Sequence, residues 1–271
     1  MTNIAFIGAG NMNSAIISGL IKTGYAPSKV MVSNPSAEKR KLLSEELGIL
    51  HTADNLEAAN FADTIVLGVK PHLIAEVCQK ISAAMDVSNK CFISVAAGCS
   101  MNTIEKALDQ PCAIVRTMPN TPSQLGLGVT GLFASKHVNQ QQHDIAEQLM
   151  AAVGITKWLA NEAEIDNIIA VSGSGPAYFF LFMEAMEKHA LALGFSAEES
   201  RQLVQQTALG AAQMVVENDL PIGQLRENVT SKGGATQAAL NTFAEGNLEQ
   251  LVTKAMNSAL HRAQEMAQNN S

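Results

Sequence analysis

Two short stretches of the 271-residue chain combine residue types and spacing that can do chemistry. The first is Gly8-Ala9-Gly10-Asn11-Met12-Asn13, which follows the apolar run Ile4–Ile7 and precedes an apolar helical stretch ending near Gly24. Gly8 permits a tight turn and Gly10 lets the backbone approach a pyrophosphate. The helix start then offers free N–H groups and a positive dipole end to that anion. In this strand–turn–helix context the glycine pattern reads as a dinucleotide cradle, with a plain glycine turn as the competing reading. The third small residue of such a fingerprint is here Asn13, which predicts slightly looser packing of helix on strand. The second stretch is Ser231-Lys232-Gly233-Gly234-Ala235-Thr236. Ser231 and the run Gly233-Gly234-Ala235 open a helix whose first amides lack intrahelical partners. Two glycines let a small carboxylate come close to those amides, and Thr236 sits beside whatever the anchored acid carries. Taken alone, Thr236 reads first as a helix cap of purely structural duty.

The residues after the second apolar run speak to the kind of dinucleotide. An acidic residue there would hold a ribose 2′-hydroxyl and repel a 2′-phosphate. The chain has Val32-Ser33-Asn34-Pro35-Ser36, followed by Lys39, Arg40 and Lys41. Hydroxyl, amide and cations tolerate the extra phosphate, so NADPH is the expected cofactor, with NADH possible. The competing reading of the cations is a solvated helix face. Val69-Lys70-Pro71 and Ala96-Ala97-Gly98 each close an apolar run, at the edge where open parallel sheets hold ligands. Small residues there would let a nicotinamide approach, although either stretch could be strand termination alone.

These residues need elements to position them. Strand candidates are Ile4–Ile7, Val30–Val32, Thr64–Val69, Cys91–Ala96, Ala113–Thr117, Val129–Phe133 and Thr156–Leu159. Most are apolar or β-branched without alternation, as in strands covered on both faces, and helical patterns separate the early ones. A doubly wound parallel sheet follows. From Glu162 onward only helical periodicity remains. Ser196 with Glu199 and Asn247 with Gln250 read as capping boxes, and Gly194, Gly223 and Gly246 as helix stops. Ser172-Gly173-Ser174-Gly175-Pro176 reads as small residues that let two helices cross, with Pro176 in a first turn. The fold class is therefore α/β, with domains at 1–161 (doubly wound sheet) and 162–271 (all-helical).

Composition narrows the function. With 47% hydrophobic and 16% charged residues the chain is globular, and a net charge of −7 gives no footprint for nucleic acid. Cys78, Cys91, Cys99 and Cys112 lack metal or C-x-x-C spacing and read as reduced, buried thiols. The six histidines are scattered, so no metal is expected. The first residues lack a basic leader, and no run of consecutive apolar residues approaches the ~20 of a membrane span, so no membrane association is expected and the cytoplasm is the expected compartment.

Three further stretches carry a resemblance: Arg116-Thr117-Met118-Pro119-Asn120-Thr121-Pro122, Ser172-Gly173-Ser174-Gly175-Pro176-Ala177-Tyr178 and Val229-Thr230-Ser231-Lys232-Gly233-Gly234-Ala235-Thr236. In this order, behind Gly8-Ala9-Gly10-Asn11-Met12, they resemble the pyrroline-5-carboxylate reductases over essentially the whole chain. Lys232 stands where many members have proline, and Ala235 where some have threonine. The resemblance implies an N-terminal Rossmann-type domain and a C-terminal helical dimerisation domain, with an active site between them completed by the partner subunit. The assembly would be a homodimer or higher homo-oligomer. It implies a cytoplasmic NADPH-dependent oxidoreductase that makes L-proline from 1-pyrroline-5-carboxylate, the last step of proline biosynthesis. By the same likeness Glu162, Asn228, Ser231, Ala235 and Thr236 fall at substrate positions, and Ser33, Asn34, Asn55, Val69, Lys70 and Ala97 at cofactor positions.

For a five-membered cyclic imine, the atom beside the anchored carboxylate is the ring nitrogen. Hydride adds more easily to the protonated C=N, and a threonine hydroxyl is a poor acid. Thr236 is therefore expected to hydrogen-bond the nitrogen as it becomes an amine, while the iminium brings its own proton. Two rivals remain at this point. A β-hydroxyacid dehydrogenase would need a lysine one turn into the helix after Ser172–Gly175, yet Lys188 is the first lysine there. A non-catalytic NADP(H)-sensing module would leave the Gly233–Thr236 cradle without a purpose.

Overall fold

The computed structural model describes residues 1–269. Eight strands form one sheet: β1 (Ile4–Ile7), β2 (Val30–Ser33), β3 (Leu50–Thr52), β4 (Thr64–Leu67), β5 (Cys91–Ser94), β6 (Ala113–Met118), β7 (Gly128–Ala134) and β8 (Gly154–Trp158). Their spatial order is β3-β2-β1-β4-β5-β6-β7-β8, and every pairing is parallel except β6 with β7. The expected doubly wound sheet is present, with one antiparallel join. The strand missing from the sequence expectation is β3, whose Leu50 and His51 are exposed. A three-residue, largely exposed edge strand carries no apolar run to read.

Alternation along the strands sends side chains to two separate cores. Ile4, Phe6, Val30, Val32, Val66, Ile93 and Val115 share one with Ile16, Ile17 and Leu20 of α1 (Asn11–Lys22). That core also holds Leu43 of α2 (Ala37–Leu47). Ala5, Ile7, Ile65, Leu67, Phe92 and Ile114 share the other with Ala58 and Ala59 of α3 (Asn55–Phe61). Ile74 and Ile81 of α4 (Pro71–Ala84) and Ile104 and Leu108 of α5 (Met101–Leu108) complete it. The first core is extended by Ala146, Leu149 and Met150 of α6 (Gln140–Ala151). Both faces are covered, which is why these strands read as continuous apolar runs.

After β8 come α7 (Glu164–Ile168), a π-helical turn (Ile169–Gly173), α8 (Gly175–Ala192), α9 (Ala197–Val216), α10 (Ile222–Asn228), α11 (Ala235–Glu245) and α12 (Leu248–Asn269). By internal contacts the chain forms two compact units, Met1–Ser174 with the residues from Ala259, and Gly175–Ser258. The Ser196–Glu199 capping box opens α9 as expected. The second capping box is not formed: Asn247 takes the left-handed conformation (φ 53°) and its amide bonds back to the Glu245 carbonyl. Gly194 and Gly246 follow helix ends, but Gly223 lies inside α10, where the Pro221 start sets the helix in motion one residue earlier.

The run Glu164–Ala192 is helical over 29 residues, with an 18-residue stretch of mean hydropathy 1.3. By length and composition alone it is long and apolar enough to cross a membrane. Consecutive apolar residues are broken at Ser172, Gly173 and Ser174, where the π-helical turn ends and Ser174 separates it from α8.

Candidate active site

The turn after β1 is held from three sides. The Gly8 amide donates to the Ser33 carbonyl at 2.7 Å, the Gly68 amide to the Ile7 carbonyl at 2.9 Å, and the Ala9 amide to Asn34 Oδ1 at 3.2 Å. Gly8 has φ 101°, and a Cβ there would sit 2.7 Å from the Gly68 carbonyl oxygen, so only glycine fits. Gly10 caps α1 without any side-chain acceptor, and the first turn has no acidic residue. The amides of Asn11 and Met12 thus open toward the sheet edge with an uncompensated dipole, which suits a pyrophosphate. The expected loosening at Asn13 does not occur. Its side chain is buried and donates to the Gly8 carbonyl at 2.7 Å, in space left by the missing side chain of Gly68.

The other cofactor candidates line the carboxyl ends of the parallel strands. Ser33 ends β2 and donates through Oγ to Asn55 Oδ1 at 2.6 Å, at the start of α3. Asn34 follows, and Arg40 Nη1 donates to the carbonyls of Asn34 (2.9 Å) and Pro35 (3.0 Å). Of the basic trio, Lys39 and Lys41 are exposed and only Arg40 is tied to this loop. Val69, Lys70 and Pro71 follow β4, with Lys70 as N-cap of α4 and Pro71 in its first turn. Ala96 and Ala97 follow β5, and pairing aligns Ile7, Ser33, Leu67 and Ser94 at one level. Gly8–Asn13, Ser33, Asn34, Asn55, Val69–Pro71, Ala96 and Ala97 are therefore brought to one edge, at the point where strand order reverses between β1 and β4.

Glu162 belongs to the same unit. Its Oε1 accepts from the Met101 amide at the start of α5 (2.7 Å) and from Arg116 Nη1 (2.8 Å). Arg116 Nη2 lies 3.9 Å from Asp166 Oδ1. Burial pushes the Asp166 carboxyl up, opposed by Arg116 and reinforced by Glu162. Burial likewise pushes the neighbouring Cys99 thiol up to about 11. In the sequence Arg116 stands only as the first residue of the stretch Arg116–Pro122. The signal that could have singled it out is a cation inside the apolar run Ala113–Thr117. The motif stretches also meet: Asn120 Nδ2 donates to the Ser172 carbonyl at 2.9 Å, and Gly173 lies against the end of the Met118 side chain. The small residues at 172–173 thus serve packing on the end of β6 rather than a crossing of two helices.

In the second unit, Asn228 ends α10 and accepts from Gln224 Nε2 at 3.1 Å. Ser231 is exposed, and its carbonyl accepts from the Gly234 amide at 3.0 Å. Gly233 turns the chain with φ 74°, and Gly234 is the N-cap of α11 with no side-chain acceptor. Ala235 and Thr236 are the first residues of that helix, both exposed. Thr236 therefore caps nothing, and its hydroxyl has no partner among the described residues. The arrangement is an uncapped helix start with a free hydroxyl on its first turn. Lys188, the lysine a hydroxyacid chemistry would call on, is exposed and paired with Glu184.

Two family models match the chain. The family model "Pyrroline-5-carboxylate reductase dimerisation" matches residues 162–266, and "NADP oxidoreductase coenzyme F420-dependent" matches residues 3–98. The chain is 52% identical to a pyrroline-5-carboxylate reductase of Vibrio alginolyticus, over 97% of each chain. Its structure is similar to that of a pyrroline-5-carboxylate reductase from Coxiella burnetii (TM-score 0.93, 44% identity, 98% of each chain). It is also similar to the Plasmodium falciparum pyrroline carboxylate reductase solved with NADP bound (TM-score 0.86, 28% identity, 98% of each chain).

Proposed function

This chain belongs to the pyrroline-5-carboxylate reductase family, and from that premise we propose how its own residues carry out the reaction. The protein is an NAD(P)H-dependent oxidoreductase that reduces the C=N bond of 1-pyrroline-5-carboxylate to L-proline, in proline biosynthesis. It is a homo-oligomer through its dimerisation domain. Our division of labour gives residues 1–161 the cofactor and residues 162–271 the substrate and the subunit contact, in a homodimer or a larger assembly of dimers. We place the protein in the cytoplasm, in keeping with four free, buried thiols.

For the cofactor, the amides of Asn11 and Met12 take the pyrophosphate, and Gly8, Gly10 and Ala9 keep the backbone close to it. Ser33 and Asn34 with Arg40 take the adenosine ribose and its 2′-phosphate, which makes NADPH the preferred donor. Asn55, Val69, Lys70, Pro71, Ala96 and Ala97 border the remainder along the sheet edge. When bound, the reduced nicotinamide supplies the hydride that adds to C5 of the ring.

For the substrate, the amides at the start of α11 hold the carboxylate, with Ser231 and the glycines at 233 and 234 giving it access. Asn228 and Glu162 are the two further substrate residues, and the carboxylate of Glu162 favours the protonated imine. The substrate enters as the protonated iminium, C5 accepts hydride, and the nitrogen becomes a secondary amine. Thr236 accepts or donates one hydrogen bond to that nitrogen as its charge falls, and orientation supplies most of the remaining acceleration. One observation carries the proposal: the exposed, unengaged Thr236 hydroxyl on an uncapped helix start.

The test is direct. Purified protein mixed with NADPH and 1-pyrroline-5-carboxylate should consume reduced nicotinamide and release proline in equal amounts. A protein that binds NADPH yet oxidises it with neither this imine nor a six-membered homologue would sink the assignment.

A further inference from the structure

The side chain of Arg116 is only 4% exposed, on a strand whose other buried residues are apolar apart from the hydrogen-bonded Thr117. Taking a guanidinium out of water is costly, and a buried ion pair is a weak source of stability, since apolar residues of similar volume commonly serve as well. Its partners are held unequally. Nη1 donates to Glu162 Oε1 at 2.8 Å, whereas Nη2 stands 3.9 Å from Asp166 Oδ1, beyond hydrogen-bond range. Nε, Nη2 and Asp166 Oδ1 have no hydrogen-bond partner among the described residues. The same Glu162 oxygen also accepts the Met101 amide at 2.7 Å. Two donors from two elements thus fix one oxygen of Glu162, whose side chain is 29% exposed. The other oxygen, Oε2, has no partner among the described residues. Met101 opens the helix that follows Ala96 and Ala97, so this clamp stands at the same strand end as those residues.

We infer that Arg116 is a positioning residue for the reduction: with the Met101 amide it holds one oxygen of Glu162, so that the free oxygen is presented as a fixed anion to the imine nitrogen. This rests on the reading of Glu162 as a substrate residue. A carboxylate held there favours the protonated, cationic imine, which is the form that accepts hydride. A side chain free to swing would spend part of its time elsewhere and would carry its own hydration. Arg116 touches neither substrate nor cofactor; it acts through Glu162.

The test uses the full chain with NADPH and compares Glu162→Gln, Arg116→Met, Arg116→Lys and the double variant Arg116→Met/Glu162→Gln. Measured are kcat and KM for the imine, Kd for NADPH by nicotinamide fluorescence, and the thermal midpoint. Glu162→Gln is expected to lower kcat/KM about tenfold or more, with NADPH affinity unchanged. Arg116→Met should cost about tenfold with Glu162 present and under about threefold in the Glu162→Gln background, because residues acting as one unit are not additive. Arg116→Lys should restore part of the loss. Equal losses from Arg116→Met in both backgrounds, or none while Glu162→Gln is impaired, overturn the positioning role. If Glu162→Gln itself turns over normally, the substrate reading of Glu162 is what fails. Should Arg116→Met not fold, Met101→Pro removes the second donor at a helix position that tolerates proline. An unchanged kcat/KM in Met101→Pro would overturn the clamp.

Discussion

The side-chain amide of Asn13 occupies the space that a side chain at residue 68 would need: a Cβ on Gly68 would lie 2.3 Å from its Cγ, Nδ2 and Oδ1. The two positions therefore form one packing unit joining the start of α1 to the end of β4. Gly68→Ala should force the amide out of its bonds to the Gly8 and Ile7 carbonyls and cost about 1–3 kcal/mol, the usual range for overpacking. NADPH affinity should fall with it, because those carbonyls belong to the cradle. Asn13→Gly added to Gly68→Ala should recover most of the thermal midpoint. A Gly68→Ala protein as stable and as tight for NADPH as the parent would show that the two positions are independent.

That pair also marks where the sequence was legible and where it was not. The strand–glycine–helix context of Gly8–Asn13 was readable because turn geometry and helix-end chemistry are local. The meaning of Asn13 was not, because its partner Gly68 lies just past the end of β4, far along the chain. The same holds for Arg116, whose partners Glu162 and Asp166 lie far along the chain. Strands covered on both faces, such as Phe6 with Ile7 in β1, announced themselves by unbroken apolarity. The edge strand β3 did not, since Leu50 and His51 face solvent. The capping box at Ser196 depended only on residues three apart and held. The one at Asn247 failed because Gly246 and Asn247 form a tight turn between α11 and α12.

Arg40, unlike Lys39 and Lys41, is anchored on the carbonyls of Asn34 and Pro35, which sets its charge beside the end of β2. Arg40→Ala should lower the ratio of kcat/KM for NADPH over NADH by roughly 10–100-fold, the scale of one charge-assisted hydrogen bond. Lys39→Ala and Lys41→Ala should change it less than about threefold. Steady-state kinetics with both nicotinamides decides this, and an Arg40→Ala ratio equal to the parent's would remove Arg40 from cofactor selection.

Burial holds the thiols of Cys78 and Cys91 up at about 12 and those of Cys99 and Cys112 at about 11. In the unfolded chain they ionise near 9, so below that pH both states keep the protons and stability is unaffected. Above it the unfolded state releases protons that the folded state retains, and stability falls as pH climbs from about 9 toward 11–12. Each pH unit in that window should cost about 1.4 kcal/mol per thiol. Urea midpoints at pH 7, 8.5 and 10 measure the slope. Native protein should resist alkylation at pH 8 and react fully once unfolded. Rapid labelling of the folded chain would contradict the burial.

Phe179, Phe180 and Leu181 of α8 are 72%, 62% and 68% exposed in the single chain, within the stretch matched by the dimerisation family model. Apolar side chains exposed in a contiguous run are expected to be covered in the oligomer. Phe180→Glu together with Leu181→Glu should shift sedimentation toward the monomer at micromolar concentration. An unchanged sedimentation coefficient would place the subunit contact elsewhere on the helical unit.

Thr236 stands on the first turn of α11 with Gly234, not itself, as the cap. Replacing it should therefore leave folding almost untouched, because no hydrogen bond among the described residues is lost and the position is exposed. What Thr236→Ala removes is the hydrogen bond proposed to form as the ring nitrogen passes from iminium to amine. Such a bond strengthens along the reaction rather than in the ground state, so the loss should fall on kcat more than on KM. A bond of about 1.5–3 kcal/mol corresponds to a decrease of roughly 10–150-fold. Thr236→Ser keeps the hydroxyl and should stay within about tenfold of the parent. Thermal midpoint and NADPH affinity should be the same in all three proteins. A Thr236→Ala enzyme with parental kcat would exclude the hydroxyl from the reaction, and one with normal kcat but raised KM would confine it to binding.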